Sequence, residues 1–289
     1  MDLNNDGYRD ILSGSYSRMQ GSMAGLFQVL WGGAGGKFKE AAVLNGTDKE
    51  PLIIPLAKSN PNQTENICTR PTAVDWDGDG KLDLVVGNFA GSFYVFKGEG
   101  KGKFAPKPEP LTAGGNQLKI KGHHSDPFVI DWDGDGDLDL VSGSSEGGVQ
   151  WAENTAGRGK PPELKEFETL IKPGRTFEMG ELMSEQELTE PSGSTRVWVA
   201  DVNDDGKLDI LVGDTITLVS MAKGVTKEQY AQRFEKWKKA YTAASEAQTD
   251  SGSQDEQQKA RKQFTEVYQQ RSEFMNEDRT GYVWLYLRK

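Results

Sequence analysis

Short apolar runs recur along the first 213 residues, and each ends on a glycine. Ile11-Leu12-Ser13-Gly14, Leu84-Val85-Val86-Gly87, Leu140-Val141-Ser142-Gly143 and Ile210-Leu211-Val212-Gly213 all follow a nine-residue segment crowded with acids. A second strand-like run comes after three of them, at Leu26–Trp31, Ser92–Phe96 and Gly148–Trp151. Another precedes the last three acidic segments, at Pro71–Val74, Pro127–Ile130 and Val197–Ala200. Phe38–Leu44 and Phe167–Ile171 are candidate fourth strands. The unit therefore runs strand, acidic loop, strand, glycine turn, strand, loop, strand. Short runs rich in Val, Ile, Phe and Trp, punctuated by turns, predict an antiparallel all-β fold.

The periodicity changes after Val225. Tyr230, Phe234, Trp237, Tyr241 and Ala244 fall at helical spacing on one face. Thr226 with Gln229, and Ser253 with Glu256, form capping boxes. Between them Gln248–Gly252 breaks the pattern, and Ala260, Phe264, Val267, Arg271, Phe274 and Met275 resume it. A helical hairpin over 222–280 is predicted, either packing its stripes into a core or projecting as an arm for a protein contact. Gly281–Leu287 returns to the strand pattern, so the hairpin reads as an insertion into the fourth β unit, with Thr215–Val219 a short β extension leading to it.

The acidic loops carry the candidate chemistry. They comprise Asp2, Asn4, Asp6, Tyr8 and Asp10; Asp75, Asp77, Asp79, Lys81 and Asp83; Asp131, Asp133, Asp135, Asp137 and Asp139; and Asp201, Asn203, Asp205, Lys207 and Asp209 at positions 1, 3, 5, 7 and 9. Positions 1, 3, 5 and 9 supply carboxylate or carboxamide oxygens, position 7 a backbone carbonyl. Calcium takes six to eight oxygens, and carboxylates this close repel one another without a cation. The glycine at position 6 permits the tight turn. An EF-hand is excluded, because its loop has twelve residues, a glutamate at position 12 and flanking helices.

Charge changes the picture next. The chain has 44 acidic and 34 basic residues, a formal charge of -10. The four loops hold three, four, five and four of the acids, so 16 of the 44 belong to prospective ion cages. Four calcium ions would bring the charge to about -2. The acidic balance argues against a broad nucleic-acid face. Cys68 is the lone cysteine, which excludes an internal disulfide and a cysteine-rich zinc site. No apolar run is long enough for a transmembrane helix. No secretory signal precedes the first loop, and an exported precursor that lost its leader would look the same.

The loops, each with its apolar-apolar-x-glycine run, resemble the FG-GAP/VCBS repeat family of integrin-type repeats. The matching segments are Asp2–Gly14, Asp75–Gly87, Asp131–Gly143 and Asp201–Gly213. That resemblance implies a β-propeller of four-stranded blades, calcium at the blade loops and, in bacterial members, export. Radial packing would also let both faces of each small sheet be apolar. A sandwich or an irregular β solenoid is the competing arrangement. Asn4 and Asn203 depart from the family's aspartate but keep an oxygen, and Ala90-Gly91 stands for the phenylalanine-glycine pair. The expected organisation is one propeller domain over 1–289, whose ring either closes through segments hidden in 46–69 and 111–125 or belongs to a longer propeller.

Function is less directly written. No nucleophile elbow, phosphate-binding loop or dinucleotide fingerprint occurs. His123-His124 are the only imidazoles, candidates for a polar cleft beside Lys119 or Lys121. The preferred expectation is a noncatalytic, extracellular or periplasmic recognition or adhesion module whose face loops bind protein or glycan, with no catalytic residues and with about four Ca2+ ions. An exposed tryptophan among Trp31, Trp76, Trp132, Trp151, Trp198 and Trp284 would serve sugar stacking. The alternative is a calcium-dependent, lyase-like polysaccharide-cleaving enzyme. The sequons at Asn45 and Asn62 are read as chance matches.

Overall fold

The computed structural model describes residues 1–16, 25–56, 64–248 and 253–289. Asn62-Gln63 and the break at 249–252 lie outside the described residues. The chain divides into two compact units. One comprises Met1–Gly174, Glu190–Asp214 and Tyr282–Lys289; the other Arg175–Thr189 and Thr215–Gly281.

Among the described residues the first unit carries four antiparallel sheets of three or four strands, each a meander with one acidic loop, and three two-stranded ribbons beside them. The first sheet pairs Ile11–Ser13, Gln28–Leu30 and Ala42–Val43. The second runs Arg70–Val74, Asp83–Gly87, Phe93–Phe96 and Glu109–Pro110. The third runs Asp126–Ile130, Asp139–Gly143, Val149–Ala152 and Glu168–Ile171. In the fourth, Gly193–Ala200 and Val283–Tyr286 flank the first part of the long strand Asp209–Met221.

Consecutive sheets bury the opposite faces of their central strands. Leu84 and Val86 join Phe27, Val29 and Leu44 of the first sheet, whereas Val85 turns the other way to meet Leu140 and Ala152 of the third. Val141, next to Leu140, packs with Val199, Ile210 and Val212 of the fourth. This follows from the period of two, because successive side chains leave opposite faces. Two-sided burial explains why the central runs are almost wholly apolar rather than alternating. Each fully buried Leu, Val or Phe stabilises by roughly 1.5–3 kcal/mol.

A hydroxyl clasp ties each sheet to the next. Ser15 N–H donates to Thr69 Oγ1 at 2.9 Å, Asn88 N–H to Ser125 Oγ at 2.8 Å and Ser144 N–H to Thr195 Oγ1 at 2.8 Å. In return the Thr69, Ser125 and Thr195 N–H groups donate to the carbonyls of Ser15, Asn88 and Ser144 at 3.0, 3.0 and 2.9 Å. The glycine just before each of these donors leaves the room required. A Cβ on Gly14, Gly87 or Gly143 would overlap the carbonyl oxygen of Thr69, Ser125 or Thr195 respectively.

The expected propeller does not form. The sheets follow one another in a row, and no sheet is closed into a ring. Among the described residues the three core clusters of this unit join first to second, second to third and third to fourth sheet, and none joins the fourth to the first. Gly213, which repeats Gly14, Gly87 and Gly143, has nothing within 4 Å of its prospective Cβ. With the helical hairpin, the chain is a mixed structure of antiparallel sheets and helices rather than an all-β propeller.

The second unit holds that hairpin. Helix α1 spans Lys227–Glu246 and α2 spans Gln254–Gln269, each opened by its expected capping box. Tyr230, Trp237, Phe274 and Met275 are buried with Val219, and Phe234, Tyr241 and Val267 pack on them. Trp237 Nε1 donates to the Val267 carbonyl at 2.8 Å, joining the two helices. The second stripe breaks earlier than its spacing predicts. A 3-10 turn at Gln270–Glu273 follows α2, and Met275 opens the strand Met275–Thr280, which pairs with Ile216–Met221. Phe274 and Met275 therefore reach the core from outside the helix. Among the described residues no helix is long and apolar enough to cross a membrane.

Candidate metal centres

The second, third and fourth acidic loops each close the hairpin between the first two strands of their sheet, whereas the first loop leads into Ile11–Ser13, the opening strand of its sheet. Val74 pairs with Asp83 and Ile130 with Asp139, so position 9 opens the second strand. Inside the loop, backbone N–H groups bind the acids in a repeated order. Position 1 accepts from the glycine at position 6: Asp2 from Gly7 at 2.8 Å, Asp75 from Gly80 at 3.0 Å, Asp131 from Gly136 at 3.1 Å and Asp201 from Gly206 at 2.8 Å. Position 3 accepts from position 5, as in Asp79 N–H to Asp77 at 3.3 Å and Asp135 N–H to Asp133 at 3.2 Å. Position 5 accepts from position 7, as in Lys81 N–H to Asp79 at 2.9 Å and Asp137 N–H to Asp135 at 3.1 Å. The first and fourth loops repeat these bonds with Asn4 and Asn203 as the position 3 acceptors.

This curl gathers carboxylates. Oxygens of Asp75, Asp77 and Asp79 lie within 4.8 Å of one another, and so do oxygens of Asp131, Asp133 and Asp139. The first and fourth loops bring no such trio together among the described residues, since their third position is an amide. Buried Oδ1 atoms of Asp75 and Asp137 have no hydrogen-bond donor. A buried carboxylate oxygen without a partner is costly, and a cation would satisfy it. The donor set, hard oxygens only, fits calcium.

The aspartate at position 9 has a second job. One of its oxygens accepts from the position 2 N–H: Asp10 from Leu3 at 2.8 Å, Asp83 from Trp76 at 3.3 Å, Asp139 from Trp132 at 2.9 Å and Asp209 from Val202 at 3.0 Å. The other oxygen accepts from the residue two places past the strand that pairs with the one following the loop: Gly32 at 2.7 Å, Gly98 at 2.6 Å, Asn154 at 2.8 Å and Arg288 at 2.9 Å. Four buried carboxylates thus bolt loop to sheet in the same way. Burial pushes the Asp83 and Asp139 carboxyls above the usual range, against the pull of those N–H donors. Asp137 is raised too, by burial first and then by its Asp135 neighbour, while its Oδ2 accepts from Gly157 at 2.6 Å.

Asp139→Asn is expected to lower stability by about 2–3 kcal/mol, because a carboxamide can accept only one of the two backbone bonds and sets its NH2 against the other donor. Denaturant unfolding in chelator isolates this from metal loss. An unchanged midpoint there would leave Asp139 without a clamping role.

Two lysines occupy the second loop. Lys97 Nζ lies 2.7 Å from Asp77, and Lys81 Nζ lies 2.8 Å from Asp79, whose carboxyl it holds below the usual range. Sequence reasoning placed Lys81 for its carbonyl and did not single out Lys97. Thr69, Ser125 and Thr195 were also missed, although each stands six residues before a loop start. His123 and His124 bracket Phe89 at ring distances of 5.8 and 4.5 Å. Trp76 and Trp132 are buried, leaving Trp198 as the exposed tryptophan at 62%.

Residues 75–142 and 131–212 each match the family described as FG-GAP-like repeat, together about half of the chain. Comparison with curated proteins and with solved structures yielded no match.

Proposed function

We propose that this chain is a calcium-braced, noncatalytic recognition module that works outside the cytoplasm. Its metal ligands are the oxygens of positions 1, 3, 5 and 9 and the carbonyl of position 7 in the four loops. The supporting observation is the convergence of Asp75, Asp77 and Asp79, and of Asp131, Asp133 and Asp139, on hairpin turns of a repeated type. Calcium there supplies charge neutralisation and a tie between two strands. Extracellular calcium modules bind at roughly 0.1–1 mM, which fills such loops only where calcium is millimolar. Recognition of protein or glycan falls to the surfaces that the braced sheets present, since a fold does not name its ligand.

Calorimetric titration with calcium is expected to give up to four equivalents, with the second and third loops tightest because each has a full carboxylate trio. Replacing Asp75 and Asp131 by alanine together should remove those two equivalents. Failure of the unaltered chain to take up calcium at millimolar concentration would overturn the metal assignment. Turnover of a glycan by the purified chain would overturn the noncatalytic one.

A further inference from the structure

One row of side chains has no part in the calcium loops. Arg70, Asp126 and Arg196 each stand five residues before a loop start, at equivalent places on the first strands of the second, third and fourth sheets. They meet: Arg70 Nε lies 3.6 Å from one Asp126 oxygen and Arg196 Nε lies 3.3 Å from the other. Arg70 Nη1 also donates to the Ser125 carbonyl at 3.3 Å, and Arg196 Nη1 to the Thr195 carbonyl at 2.9 Å. Among the described residues neither Nη2 has an acceptor. Two guanidiniums share one carboxylate, so one positive charge is uncompensated on a chain whose net charge is -10.

This row is not needed to join the sheets, because the Thr69, Ser125 and Thr195 clasps do so one residue earlier. Its surroundings suit a ligand. Two residues along each strand returns to the same face, which sets Phe128 beside Asp126 and Trp198 beside Arg196. The Trp198 ring stands edge-on to Phe128 at 5.4 Å and is 62% exposed. On the Arg70 side lies a cavity of about 320 Å³ lined by Ser13, Ser15, Tyr16, Cys68 and Arg70, with Tyr16 76% exposed. Paired guanidiniums present forked donors to a carboxylate. An exposed indole gives a flat apolar face with a polar edge.

We propose that this row binds a carboxylate-bearing sugar, with the carboxylate on Arg70 and Arg196 and the sugar ring against Trp198. The assignment deepens the recognition reading above and rests on it. It supplies the ligand class which the calcium loops do not.

Titration of the whole chain, in calcium, with a glucuronate tetrasaccharide tests the site. Binding is expected to exceed that of the uncharged glucose tetrasaccharide by at least about tenfold and to weaken as salt rises. Arg196→Gln and Trp198→Ala, both at exposed positions, should each lose at least about tenfold in affinity while keeping the calcium-dependent rise in Tm. Equal affinity for the uncharged sugar, or unchanged affinity in both variants, would overturn the proposal. Tighter binding of a glutamate-rich peptide than of the glucuronate would overturn the sugar in favour of an acidic polypeptide. The two readings separate cleanly: calcium uptake without glucuronate binding removes only this site, and glucuronate binding sensitive to Arg196 without calcium uptake removes only the metal.

Discussion

Gly143→Ala is expected to cost at least about 3 kcal/mol and to lower Tm by roughly 6–12 °C. The new Cβ would overlap the Thr195 carbonyl oxygen, with the carbonyl carbon at 2.7 Å and Oγ1 at 2.8 Å. Two of those atoms are backbone, so no rotamer change relieves the contact. The third and fourth sheets must part, which strains the Ser144–Thr195 bonds in both directions. Overpacking alone costs about 1–3 kcal/mol, and each weakened hydrogen bond about 1 kcal/mol more. Gly213→Ala is the internal control. It holds the same place in the repeat, yet nothing lies within 4 Å, and alanine in a strand is no worse than glycine. Its Tm should stay the same or rise slightly. Equal effects at the two glycines would refute the idea that these residues exist to let one sheet touch the next.

That contrast also shows which parts of the fold were legible. Within a unit, information is local. Asp75 to Gly87 fixes a turn and a strand through residues at most a dozen apart, and the Thr226 and Ser253 capping boxes mark both helix starts without outside help. Between units it is not. The four glycines hold the same place in the repeat, and only the neighbour that meets Gly143 and is missing at Gly213 separates an open row from a ring. Similarity of the repeats therefore predicted the successive antiparallel sheets and overreached at the propeller. The same limit hid the work of position 9. Asp83 and Asp139 look like further ligands in the acidic pattern, but their partners at Gly98 and Asn154 lie 15 residues on, across the sheet. Arg70, Asp126 and Arg196 were hidden for a different reason. Their chemistry changes from one repeat to the next, so a search for likeness passes over them.

Chelation should lower the Tm of the loop-bearing unit by roughly 6–20 °C relative to 10 mM calcium. At affinities of about 0.1–1 mM, each filled site adds roughly 1.4–2.7 kcal/mol, so the two carboxylate trios alone contribute about 3–5 kcal/mol. The size of this increment should depend on pH, with a sign set by the buried acids. Burial raises the folded pKa of Asp83 and Asp139. Their contribution to stability is then present below the unfolded pKa and lost as pH rises through the folded value. Asp79, held low by Lys81, acts in the opposite sense but is exposed and weak. Without metal, burial disfavours the ionised forms of Asp83 and Asp139; calcium reverses that preference, because it binds the ionised form and releases protons. Melting curves in calcium and in chelator, taken from mildly acidic to neutral pH, should diverge as pH rises. Curves that stay a constant distance apart would separate the buried acids from the metal. Curves that coincide throughout would mean the loops hold their shape by backbone hydrogen bonds and the Lys81 and Lys97 pairs alone.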